Sequence, residues 1–183
     1  MGADSWSRPP DGSRGRPSPP AERFHPCPGG RHWGPRGAAG ILPWTVTSDR
    51  RVWVLLSHRS PHVQAGGTWS TFGGAIDDGE TPWHAAVRET GEEIDGLDVG
   101  AGVVAAELEV PCQHGCGWSY TTFAVRIPNR DPDRLPIAKI ASGRSAWETA
   151  GLEWIPADQV SERPDLHPGL AAAWAALRKA ISS

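Results

Sequence analysis

Apolar residues recur along this chain with two different spacings. Ala38 to Val46 ("AAGILPWTV") and Arg51 to Arg59 ("RVWVLLSHR") are short runs rich in β-branched and aromatic residues, and each predicts a strand. Thr68 to Gly74 predicts a shorter strand, and others are expected at about Val99–Val110, Trp118–Ile127 and Glu148–Ile155. Arg126 to Ala146, broken by three prolines and several charges, reads as a long loop. Two segments switch to the helical period. Thr81 and Pro82 supply an N-cap and a first-turn proline for a helix to about Ile94, with Gly96 as its stop. Its apolar stripe is Trp83, Val87, Thr90 and Ile94, which places Glu89, Glu92 and Glu93 on nearly the opposite side. A closing helix carries Leu170, Trp174, Leu177 and Ile181 on one face. Strands and helices mixed in this way predict an α/β domain around a mixed sheet.

Composition sets the limits of that domain. Residues 1–24 are rich in Pro, Gly, Ser and Arg and nearly lack aliphatics, which predicts a disordered tail before a folded unit at 25–183. Eighteen basic against 21 acidic residues leave a net charge of −3, and no basic stripe appears. That argues against stable nucleic-acid binding and against a membrane-surface role. No apolar run approaches the ~18 residues of a membrane span, and the N-terminus lacks the apolar core of a secretory signal. A cytoplasmic location is the expectation. Cys27, Cys112 and Cys116 are too few, and odd in number, for a disulfide framework. "CQHGC" at Cys112–Cys116 invites a zinc reading, and Cys27 and His32 could complete one if the chain ends met. Without a convincingly spaced second ligand pair, a hairpin loop holding two thiols is expected.

The acidic helix raises a harder question. Glu89, Glu92 and Glu93 stand at i, i+3 and i+4, where like charges each cost a few tenths of a kcal/mol, about what ion pairs at that spacing gain. Arg88 offsets only part of that. A solvated charged face is the plain explanation; a bound Mg²⁺ or Mn²⁺, which prefers hard oxygen ligands, is the other. Gly73 and Gly74 just upstream would let backbone carbonyls join such a site.

The spacing of Gly74, Glu80, Arg88-Glu89 and Glu92-Glu93 resembles the box of the Nudix hydrolases, Gx5Ex7REUxEExGU. Every charged position matches. Thr90 replaces an apolar residue, and Asp95 stands where glycine is expected, with Gly96 one place late. The resemblance, which extends over about residues 33 to 180, is to a MutT-like bacterial subgroup and implies an α/β/α sandwich. It implies Glu89, Glu92, Glu93 and Gly74 as ligands of Mg²⁺ or Mn²⁺, Arg88 as the residue orienting the carboxylates, and Glu80 as a supporting acid. It further implies cleavage of a nucleoside diphosphate linked to another group, by water attack on phosphorus, with Glu92, Glu93 and Arg88 among the catalytic residues.

A late acidic residue often completes such a site, which leaves Glu148 or Glu153; the loop–strand junction favours Glu148. Arg59 and His58 are candidates for phosphate contact, and Trp69 and Phe72 for stacking on a base. Noncanonical nucleoside triphosphates, ADP-ribose or nucleotide sugars (the last two on the weak hint of Pro111) and capped RNA are the substrate options. A nucleotide-binding regulatory module of the same fold is the alternative, with an isopentenyl diphosphate isomerase further off. Homodimers are common among such relatives.

Overall fold

The structure is a computed structural model that describes residues 23–129, 131–142 and 146–182. Eleven strands and two helices follow in chain order: β1 (Phe24–Cys27), β2 (Gly30–Trp33), β3 (Ala38–Val46), β4 (Val52–Arg59), β5 (Trp69–Ser70), β6 (Phe72–Ala75), α1 (Pro82–Glu93), β7 (Ile94–Asp95), β8 (Val103–Pro111), β9 (Ser119–Arg126), β10 (Lys139–Ile140), β11 (Thr149–Pro156) and α2 (Pro168–Ile181). A short 3₁₀ turn, Ala146–Glu148, leads into β11.

The main sheet runs β11-β4-β3-β9-β8, with β5 beside β4 and β6 beside β3. Only β3 and β9 are parallel; the other pairs are antiparallel, so the sheet is mixed. Side chains alternate across β3, and the two layers divide accordingly. Leu42 and Trp44 pack with Leu170, Trp174, Leu177 and Ile181 of α2. Ala39 and Ile41 pack with Ala85 and Ala86 of α1, and with Phe123 and Val125 of β9. The result is the α/β/α sandwich expected from the sequence.

Three local expectations need correction. The stripe of α1 is rotated: Ala85, Ala86, Thr90 and Glu93 are buried, whereas Trp83 and Val87 are half-buried at the margin, Trp83 edge-on to Phe123 at 5.1 Å. Small alanines let the helix lie close to β3, which turns its last glutamate inward. Thr90 fits the apolar position because its hydroxyl donates to the Ala86 carbonyl at 2.6 Å. Second, the helix ends at Glu93, not Ile94. Ile94 and Asp95 are extended and pair with β10, and the Ala141 N–H satisfies the Glu93 carbonyl at 3.0 Å. This strand pair lies partly within the segment expected to be loop.

Third, two strands precede Ala38, in a stretch where the sequence predicts none. β1 and β2 form a separate two-stranded hairpin, with Phe24 opposite Trp33. The expected tail lies largely outside the described residues. No helix among the described residues is long and apolar enough to cross a membrane.

Candidate active site

The site begins where β6 runs out along β3. Gly73 has φ +152 and lies against Gly40; a β-carbon there would collide with the Ala39 carbonyl oxygen. Gly74 sits against the carboxylate of Glu89, so that any side chain would overlap it. The glycine pair lets α1 settle close to the strand. Thr81 caps the helix, its Oγ1 accepting the His84 N–H at 3.2 Å, and Pro82 follows in the first turn.

Arg88 organises the loop and the helix together. Its Nε and Nη2 donate to the two oxygens of Glu80, each at 2.8 Å. Nη1 donates to Glu89 at 2.8 Å, and Nη2 also reaches the Ala75 carbonyl at 3.1 Å. Glu92 stands 3.5 Å from Nη1 and Asp77 3.7 Å from Nη2. Glu80 in turn accepts the Asp77 N–H at 3.0 Å. The bidentate Arg88 grip holds the Glu80 carboxyl well below the usual range, at about 2.

The remaining carboxylates behave in the opposite way. Glu93 is 7% exposed, and its Oε1 accepts one backbone N–H, from Gly73, at 3.3 Å. Burial pushes its carboxyl up to about 8, against that hydrogen bond and with a further push from Glu148 and Glu89. Burial likewise raises Glu89 to about 7, although Arg88 opposes it; Glu92 and Glu148 add to the rise. Glu148 is raised by burial too, with Arg59 countering and Glu92 reinforcing. Four carboxylates thus interact electrostatically across α1 and the start of β11, with too little cationic charge to balance them.

Partly desolvated, electrostatically coupled carboxylates have the chemistry of ligands for a hard divalent cation such as Mg²⁺ or Mn²⁺.

The other candidates divide. Arg59 ends β4 opposite Thr149, next to Glu148, whose carbonyl accepts the Ser60 N–H at 2.7 Å; the Arg59 Nε donates to the Gln64 carbonyl at 3.0 Å. Glu153 points elsewhere, exposed and paired with Arg163 at 3.0 Å. Phe72 is 0% exposed, packed with Leu55 and Ile94, and has no face to offer a base. Its expected stacking role is therefore corrected to one in the core. Trp69 is half-buried beneath the Arg163 guanidinium at 4.3 Å and beside His58 at 4.8 Å. His58 lies within bonding distance of the Gly67 carbonyl, 3.2 Å away.

Two neighbours were not anticipated. Tyr120 on β9 meets the Thr71 hydroxyl at 3.2 Å, and burial, with Glu93 and Glu89 nearby, pushes its phenol up to about 12. His167, the N-cap of α2, is held low by burial and by Arg59. Neither carries a local motif; the sheet brings both from distant sequence.

The model of the NUDIX domain family matches residues 34–177. A Mycobacterium tuberculosis protein named as a candidate 8-oxo-dGTP diphosphatase, number 3 of that name, is 38% identical over 165 residues, covering 81% of this chain. The chain spans 64% of that relative's length. The crystal structure of the Nudix hydrolase RenU from M. smegmatis is 36% identical, with a TM-score of 0.65 over 87% of this chain and 94% of that one. A C. elegans Ap4A hydrolase, at 18% identity and TM-score 0.59 over 79% of this chain and 98% of its own, shares the fold.

Proposed function

The chain belongs to the NUDIX domain family, and from that premise we propose that it is a metal-dependent pyrophosphohydrolase acting on nucleoside diphosphate derivatives. The observation that carries the reading is the carboxylate cluster of Glu89, Glu92, Glu93 and Glu148, under-neutralised and partly buried beside Gly74.

Glu89, Glu92, Glu93 and the Gly74 carbonyl would hold Mg²⁺ or Mn²⁺. When bound, the cation supplies charge neutralisation of the phosphates and Lewis-acid polarisation of the P–O bonds. The chain's own residues do the rest. Arg88 and Glu80 fix the ligand carboxylates in place before substrate arrives. Glu148 is the proton acceptor: it takes a proton as water oxygen bonds to phosphorus and the bridging P–O bond breaks toward the leaving phosphate. Burial raises its affinity for protons above that of an ordinary carboxylate, the direction that favours a proton acceptor. Arg59, beside it, contacts a substrate phosphate, and Trp69 borders the nucleoside side.

The name of the mycobacterial relative makes 8-oxo-dGTP the first substrate to try, within the nucleoside triphosphate class. The test is product release from a panel of oxidised and normal nucleoside triphosphates, ADP-ribose and nucleotide sugars, with Mg²⁺ or Mn²⁺. A Glu92→Gln, Glu93→Gln double variant runs alongside. Cation-dependent turnover of one class, abolished in the variant, supports the proposal. Nucleotide binding with no turnover of any class would replace it with a regulatory module.

A further inference from the structure

The β1–β2 hairpin raises a question that the hydrolytic site does not answer. It belongs to no larger sheet, and a lone two-stranded hairpin is marginal in water. Its contacts to the turn between β8 and β9 explain how it is held. The ring nitrogens of His25 face the Cys116 and Pro35 carbonyls at 2.8 and 3.0 Å. Trp118 Nε1 donates to the carbonyls of Trp33 and Gly34.

Between these contacts four side chains point at one another. The Sγ atoms of Cys27, Cys112 and Cys116 and a ring nitrogen of His32 all lie within 4.8 Å of each other. Cys27 and Cys112 are 3.5 Å apart at sulfur, and His32 Nε2 is 3.1 Å from the Cys112 sulfur. A tetrahedral Zn²⁺ with Zn–S near 2.3 Å and Zn–N near 2.0 Å needs ligand atoms about 3.6–3.8 Å apart. The Cys27–Cys112 and His32–Cys112 edges, at 3.5 and 3.1 Å, come within about half an ångström of this, and the remaining edges lie within 4.8 Å. The three thiols are free.

The surroundings are built for that geometry. Cys112 accepts the His114 N–H at 3.4 Å, from two residues ahead in its turn. The Gly29 N–H reaches the Cys27 sulfur in the same relation. The His114 ring fills the space a Gly29 side chain would take. The His32 ring is clamped flat against Trp118, with centroids 4.3 Å apart and an interplanar angle of 14°. A ligating ring nitrogen is thereby aimed before any ion arrives.

We propose that Cys27, His32, Cys112 and Cys116 bind a structural Zn²⁺ that staples the β1–β2 hairpin to the β8–β9 turn. Three thiolates and one imidazole fill a tetrahedron, so no position is left for substrate. The sequence led to the expectation of a plain hairpin loop with two thiols; the fold brings Cys27 and His32 to that loop. The site shares no ligand with the carboxylate cluster, and its soft donors select a different metal from hard Mg²⁺ or Mn²⁺.

Metal analysis of the full-length protein, purified without chelator from zinc-supplemented medium, tests this. Zinc close to equimolar with the chain is expected, retained in the Glu92→Gln, Glu93→Gln variant and reduced about tenfold or more by Cys112→Ser. Should that variant fail to fold, thiol titration of the unmodified protein decides. The three thiols should react at least about tenfold faster with a thiol reagent after zinc is stripped by chelator. Thiols that react freely as purified, a Cys27–Cys112 disulfide, or equimolar iron in place of zinc would each overturn the assignment.

Discussion

Gly74 and Glu89 are packed so closely that a methyl group on the Gly74 α-carbon would overlap the glutamate carboxylate. The neighbour is the far end of a side chain, so the fold can give way while the carboxylate cannot stay. Gly74→Ala should therefore lower turnover by about 100-fold, the scale of an ångström misplacement, with little loss of stability. Steady-state kinetics beside a thermal melt will separate the two effects.

Arg88 and Glu80 form the one bidentate ion pair of the site, partly buried on both sides. Arg88→Lys keeps the charge but loses the paired donors, at a cost of about 1.5–3 kcal/mol in stability. Denaturant midpoints measure this. The Glu80 carboxyl titrates near 2 in the folded protein rather than at 4.5. Its contribution is thus complete above about pH 4.5 and is lost as pH falls toward 2. In Glu80→Gln that acid-limb slope should flatten.

Glu93 reverses the sign. Its folded carboxyl holds a proton up to about pH 8, whereas the unfolded chain releases it near 4.5. Between those values the native, metal-free protein binds more protons, so its stability falls as pH rises. A divalent cation needs the ionised form, and its apparent affinity should climb by more than about tenfold from pH 6 to pH 8. Calorimetric titration with Mn²⁺ in two buffers of different ionisation enthalpy will reveal the released protons. A pH-independent affinity would contradict this account of Glu93 and Glu89.

Phe72 and Trp69 provide a contrast. Phe72→Leu should leave KM within about twofold and cost roughly 1–2 kcal/mol, as a core truncation does. Trp69→Ala should raise KM if the nucleoside lies beside it. A large KM change in the Phe72 variant alone would reverse the assignment.

Glu148→Gln and Glu153→Gln test the late acid. The first should reduce kcat by about 100-fold or more and flatten the acidic limb of the pH–rate profile. Glu153 engages only Arg163 at the surface, so its variant should keep full activity.

The strands that were readable from the chain are those whose own side chains bury them. β3 and β4 are apolar runs covered on both faces, and their bounds follow from composition. Strands β1, β2, β7 and β10 have no such run; "FHPC", "GRHW", "ID" and "KI" become strands only because a partner is nearby. The charged box was legible as a spacing, but the burial of Glu93 was not. That depends on two glycines across from the helix and on how closely alanines let it approach. Glu148 and Glu153 stand five residues apart and would face opposite ways on one regular strand, but Glu148 sits in a 3₁₀ turn and the ladder shifts between Thr149 and Gly151.

The parallel pairing of β3 with β9 also governs when the protein matures. β3 is made early, but its neighbour on that side, from Tyr120 to Arg126, leaves the ribosome much later. Glu148 follows later still, fixed by β11 against β4. Contacts so distant in sequence form slowly and cannot form before both segments exist. A growing chain that holds the whole acidic box still lacks the walls that desolvate it. The carboxylates acquire their buried setting only after β9 and β11 have both been made.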